Sequence, residues 1–166
     1  MIGRREFITL IGGAAAACQA RGLQAAAITI GRPVHILSAS TEHELTDGFA
    51  SLAAIGTRGL VIASDPFFNS HSDLLAKLSI RHAIIAIYQY REFAAAGGLM
   101  SYGGGFAESW RLAGAYAGRI LKGEHAADLP VQQATKVELI INLKTAKALR
   151  IDVPPTLLAR ADEVIE

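Results

Sequence analysis

The chain has one cysteine, Cys18, so no internal disulfide can form and a small stapled scaffold is excluded. Aromatic residues make up only 7% of the 166 residues, with a single tryptophan, while 16 are glycine. A core of that composition has to close through many small contacts, which suits helices laid closely on a sheet. Neither sign of charge dominates, because 16 Lys and Arg face 15 Asp and Glu. That balance excludes the positive field that would hold a nucleic acid or an anionic membrane surface. No apolar run approaches the roughly twenty residues needed to cross a bilayer, and no internal repeat or low-complexity tract occurs.

What is present is a hydrophobic fraction of 51%, in a length that suits one domain burying roughly two-thirds of its unfolded surface. The first residues have the shape of an address. Arg4-Arg5-Glu6-Phe7-Ile8 resembles the twin-arginine export pattern, and a short, Gly-interrupted apolar run follows through Ala17. Residues 1–22 are therefore expected to be a twin-arginine-type signal peptide and residues 23–166 an exported, periplasmic α/β lobe. Cys18 has Ala15 three positions before it, where a lipoprotein signal wants a large aliphatic residue, so no lipid anchor is expected.

From Pro33 onward, short apolar runs alternate with segments of helical period, as in βα units feeding a sheet. The strands are predicted at Val34–Leu37, Leu60–Ala63, Ile84–Tyr88, Leu99–Tyr102 and Val137–Leu143, in that spatial order. Continuous apolar runs imply burial on both faces, hence an α/β fold with a mostly parallel sheet and helices on both faces. Thr41-Glu42-His43-Glu44 has capping-box spacing, Leu45, Phe49 and Leu52 share a face, and Gly56 is placed to end that helix. A second helix from about Ser70 should bury Leu74, Leu75 and Leu78. The longest should run from Phe106 to Lys122, with Phe106, Trp110, Ala113, Ala117 and Ile120 on one side and Gly123 as its stop. A short helix and a last one through Ala161 should follow, the latter started by Pro154-Pro155.

Open parallel sheets bind ligands beyond the carboxyl ends of their strands. Three segments fall there, beginning at Ser64, Tyr88 and Ser101. Asp65 could pair with a ligand ammonium group beside an apolar wall from Phe67, although Asp-Pro is equally a turn signal. Tyr88, Tyr90 and Glu92 offer rings and a carboxylate after the next strand. Ser101 and Tyr102 lead into Gly103-Gly104-Gly105, whose free backbone donors could hold an anion or form a plain turn. The ligand-binding candidates are thus Asp65, Phe67, Tyr88, Glu92, Ser101 and Tyr102. The five histidines are scattered, so neither a metal site nor any other cofactor is expected. Ser70-His71 and Asp73 contain the residue types of a triad but no nucleophile elbow, so no enzyme is read.

Several stretches resemble the ABC transporter substrate-binding family related to tryptophan- and tyrosine-binding importers. They include Gly31-Arg32-Pro33-Val34-His35-Ile36-Leu37-Ser38, Asp65-Pro66-Phe67-Phe68, Gly97-Gly98-Leu99-Met100-Ser101-Tyr102-Gly103 and Ala127-Asp128-Leu129-Pro130-Val131. Ile141-Asn142-Leu143-Lys144-Thr145-Ala146-Lys147-Ala148-Leu149 and Pro154-Pro155-Thr156 through Ala161-Asp162-Glu163-Val164-Ile165-Glu166 extend the likeness to the carboxyl end. The resemblance implies one lobe of a type I periplasmic-binding-protein-like fold. It also implies a small-molecule solute as ligand, an amino acid among the candidates, and a membrane permease as partner. It further implies that the stretch holding most of the first lobe is missing between the leader and Leu23, with Ala17 to Gly22 as the junction. Impaired solute binding, and self-association into a homodimer or aggregation, are expected on that ground. A non-binding remnant and a small α/β enzyme remain the alternative classes.

Overall fold

The computed structural model describes residues 7–11, 16–29, 31, 34–131 and 136–166. Arg4 and Arg5 lie outside the described residues.

Seven strands form one sheet in the order β2-β1-β3-β4-β5-β6-β7. They are β1 (Phe7–Ile11), β2 (Val34–Ser38), β3 (Gly59–Ile62), β4 (Ile85–Tyr88), β5 (Met100–Gly103), β6 (Glu138–Asn142) and β7 (Glu163–Ile165). Every neighbouring pair is parallel except β5 and β6. The mostly parallel α/β architecture is as the apolar runs imply. The five predicted strands keep their expected order in space, but an unexpected strand, β1, inserts between β2 and β3, pairing Phe7–Ile11 with Val34–Ser38 on one side and Phe7–Leu10 with Gly59–Ile62 on the other. That strand lies in the segment read as an export leader, where a continuous apolar run serves a signal core and a buried strand equally well.

The helices follow local chemistry. In α2 (Glu42–Ala54) the Thr41 hydroxyl accepts from the Glu44 N–H at 3.2 Å, and the Glu44 carboxylate accepts from the Ser40 N–H at 2.6 Å. Leu45, Phe49 and Leu52 are fully buried beneath it, and Gly56 takes the expected left-handed turn at φ 76°. Helix α3 (Pro66–Ser70) leads directly into α4 (Ser72–Arg81), whose Leu75 and Leu78 are buried while Leu74 is half-buried. Along β3 and β4, fully buried Leu60, Ile62, Ala86 and Tyr88 alternate with half-buried neighbours. The buried set packs with α2 and α4.

Ile85 and Met100, on the opposite face, join a second core with Ile141, Ala146 of α7 (Leu143–Ala148) and Leu157 of α8 (Pro155–Leu158). Helix α5 (Arg91–Ala95) joins β4 to β5, and α1 (Ala16–Thr29) packs on β1 and β2. The last helix is shorter than the proline pair implies. It ends at Leu158, and Glu163–Ile165 pairs with β6 as an edge strand, its start tied by the Leu139 N–H donating to the Asp162 carboxylate at 2.8 Å.

Between β5 and β6 the chain makes a long excursion through α6 (Phe106–Leu121) and a 3-10 turn at Ala126–Asp128. Gly123 at φ 100° follows that helix, as expected. None of the described helices is long and apolar enough to cross a membrane.

Candidate ligand-binding site

Parallel strands β3, β4 and β5 end side by side, and the backbone that leaves them borders a cavity of about 420 Å³. Val61 and Ile87 supply its floor from the half-buried side of the strands, and Leu23 of α1 supplies an apolar wall. Ser64, Gln89 and Tyr102 bring the hydroxyl and amide groups. The approach of β5 to the end of β4 depends on Gly103. A Cβ there would sit 2.4 Å from the Gln89 carbonyl oxygen, so only glycine lets the two backbones pass this closely.

Among the described residues, no charged side chain lines this cavity. Those residues can take an apolar or aromatic body and hydrogen-bond it at one edge, and they offer no counter-ion for a ligand's charged end. Tyr102 is 58% exposed and presents its ring at the rim. Tyr88 is buried, and its hydroxyl donates to the Asn69 side-chain oxygen, with the Asp65 carbonyl 3.4 Å away. Burial pushes the Tyr88 phenol well above its ordinary range, and the neighbouring Tyr90 and Asp65 add to this against the opposing Asp65 backbone hydrogen bond. It is a neutral donor throughout the ordinary pH range. The Tyr88 and Tyr90 rings meet edge to face at 5.6 Å, and the Tyr90 hydroxyl lies 3.3 Å from that of Ser64.

The six residues singled out from sequence do not all converge. Tyr88 and Tyr102 line the cavity, and buried Ser101 stands beside Tyr88 in the β4–β5 register. Asp65 is the N-cap of α3, its carboxylate accepting from the Phe67 N–H at 2.8 Å, which is the turn role its proline neighbour allows. Phe67 packs on the core beside Phe68 and His71, with ring centroids 5.7 and 4.3 Å away. Glu92 is exposed in the first turn of α5 and is not part of the lining. Leu23 and Gln89 were not picked out. Gln89 follows a strand end and could have been found there, whereas nothing in the local sequence places Leu23 across from Ile87.

Ser70 and His71 touch without forming a nucleophile–base pair. His71 Nδ1 lies 2.7 Å from the Phe67 carbonyl, which can only accept, so Nδ1 carries the proton. The Ser70 hydroxyl donates to that same carbonyl at 2.8 Å and is left with no base.

A second cavity, of about 280 Å³, opens at the opposite edge of the sheet between Arg58, Arg150 and Asp152. The carboxyl ends of α4 and α7 reach it through Ala83 and Leu149. Helix carboxyl ends carry partial negative charge, so the arginines there offset the helices and leave little net field for an anion.

The family model for ABC transporter substrate binding proteins matches residues 8–165. Among solved structures, a conserved domain protein from Vibrio cholerae aligns with a TM-score of 0.86 at 19% identity, over 98% of this chain and 56% of that one. An ABC domain from Streptococcus pneumonia, solved in complex with L-Trp, aligns with a TM-score of 0.85 at 20% identity, over 96% and 55%. The ligand-free, open CD0873 of Clostridium difficile, a substrate binding protein with adhesive properties, aligns with a TM-score of 0.69 at 21% identity, over 97% and 54%. The chain thus spans little more than half the length of these three. A comparison with curated proteins gives no match.

Proposed function

We propose, on the premise that the chain belongs to the ABC transporter substrate-binding protein family, that it is the solute-binding component of an importer, holding a small, partly apolar solute against the carboxyl ends of β3, β4 and β5. The observation that carries this reading is the cavity itself, with its apolar floor, its three polar groups at one edge and its place at the end of the parallel strands. An amino acid with an apolar or aromatic side chain suits that lining, and the L-Trp bound by the Streptococcus domain is a solute of this kind. Docking on a membrane permease completes the reading, with export through Arg4 and Arg5 taken to leave β1 in the sheet rather than to remove residues 1–22.

One wall is all the described residues offer, so a bound solute keeps water on its other side. Micromolar affinity requires roughly 8 kcal/mol, and a half-open site without a charged partner falls well short of that. Weak binding is therefore expected. Calorimetry of the full chain with tryptophan, tyrosine, phenylalanine and leucine tests it, with Tyr102→Ala and Gln89→Ala as site variants. Millimolar heats lost in both variants support the reading. Binding unchanged in both places the solute elsewhere and removes this site.

A further inference from the structure

The helices that open after β3, β4 and β5 are α3, α5 and α6, and each opens on a carboxylate. Asp65 caps α3, Glu92 stands in the first turn of α5 and Glu108 in that of α6. The Glu138 carboxylate also lies 3.9 Å from the position a Cβ would take on Gly105, the N-cap of α6. Helix amino ends attract anions, but here the chain's own acids already stand at them. The cations nearby are committed too. Arg91 is held by Glu163, Arg111 by Glu108 and Lys136 by Glu138, at 2.5, 2.6 and 2.5 Å. Arg21 adjoins Gly22 in α1 yet is not part of the cavity lining. Helix α1 itself starts at Ala16, six residues and so about 9 Å of helix before Gly22. Outside the described residues, 12–15 follow β1 and contain no charged residue, while Arg4, Arg5, Glu6 and Arg32 all come before a strand.

We propose, resting on the site read above, that this lobe recognises its solute by the ring alone. The solute class is a flat, largely apolar ring with one polar atom at its edge, and a carboxylate carried beside that ring adds no affinity. Val61 and Ile87 meet one face of the ring, Leu23 meets it from α1, and the exposed Tyr102 ring closes on it at the rim. Gln89 can either donate to the polar atom or accept from it. A cavity of about 420 Å³ is of small-molecule size and has room for a bicyclic ring. A carboxylate drawn in after the ring would lose its water without gaining a partner, so it stays in solvent. The carbon that bears it then lies outside the lining, and its handedness is not read.

The test is an NMR titration of the full, isotope-labelled chain with indole, indolepropionate, L-tryptophan and D-tryptophan, followed at the amides of Ser64, Gln89 and Tyr102. All four are expected to move these amides. The two tryptophans should agree, and no carboxylate should bind more than about fivefold tighter than indole, whereas one charge-assisted hydrogen bond would be worth about tenfold or more. Tyr102→Ala should weaken all four, and Arg21→Ala none. Any of the carboxylates binding more than about fivefold tighter than indole, or either tryptophan exceeding the other by that factor, overturns the inference and leaves the site standing. Loss of L-tryptophan affinity in Arg21→Ala with indole unaffected does the same, because it supplies the missing counter-ion. Shifts confined to other amides, or none from any of the four, remove the site and the inference together.

Discussion

The side-chain amide of Asn142 donates to the Ala94 carbonyl at 2.9 Å, deep in the molecule, and so joins the end of β6 to α5. Its oxygen accepts from the Thr145 N–H at 3.1 Å and caps α7, so one residue holds the two cores in register.

Removing it strands two buried groups, the Ala94 carbonyl and the Thr145 N–H. Asn142→Ala should lower the unfolding free energy by about 2–4 kcal/mol in urea denaturation. Thr57 is the converse case, because its hydroxyl is the one buried side-chain polar atom without a hydrogen-bond partner among the described residues. Thr57→Val should stabilise by about 1 kcal/mol. A loss of stability in the valine variant would mean that the hydroxyl has a partner in solution.

Ala83 and Arg150 both sit in left-handed conformation, at φ 52° and 54°, just past the ends of α4 and α7. Each helix closes there with a six-to-one bond, Ile84 N–H to Ser79 O at 2.9 Å and Ile151 N–H to Ala146 O at 2.8 Å. Glycine takes this conformation without strain, so Ala83→Gly and Arg150→Gly should each add about 0.5–1 kcal/mol, and any departure of the double variant from the sum measures their coupling across the cavity that both line. Thermal melts of the two single variants and the double variant measure this.

Arg91 grips Glu163 through two hydrogen bonds, Nε at 2.8 Å and a terminal nitrogen at 2.5 Å, and fastens α5 to edge strand β7. The hydrogen bond from Arg91 holds the Glu163 carboxyl below its ordinary range. A depressed carboxyl contributes stability that is fully present above its unfolded value, near 4.3, and disappears as pH falls through the folded one. Both side chains are more than a third exposed, so the contribution is about 1 kcal/mol at most. Denaturation of Glu163→Gln should match the wild type at low pH and fall below it near neutrality. A constant offset at every pH would assign the loss to packing.

Strand β1 makes the sharpest demand on the amino terminus. Among the described residues it is the only strand paired with β2, and it also covers the edge of β3. Deleting residues 1–22 should abolish the cooperative unfolding transition and open the amides of Val34–Ser38 to rapid hydrogen exchange. An unaltered transition would show that the lobe stands without this strand, as removal of a leader requires.

Local chemistry was legible wherever the determinant lies within a few residues. Thr41 and Glu44, the turn at Gly56, the stop at Gly123 and the apolar runs of β3 to β6 could all be read, because capping, left-handed turns and burial on both faces leave a mark on neighbouring positions. The placement of Tyr88 and Tyr102 at the strand ends was legible for the same reason.

The place of β1 in the sheet was decided by tertiary structure alone. Nothing in Phe7–Ile11 distinguishes the core of a leader from a strand between β2 and β3, since both require only a short apolar run. That the Asp65 carboxylate caps α3 through the Phe67 N–H, and that Leu23 borders the cavity across from Ile87, were both set by the fold. The sequence by itself determined strands β2 to β6, helices α2, α4, α6 and α7, and the hydrophobic face of α6. Which of these faces find a partner depends on contacts between residues distant in the chain, and local sequence carries no record of them.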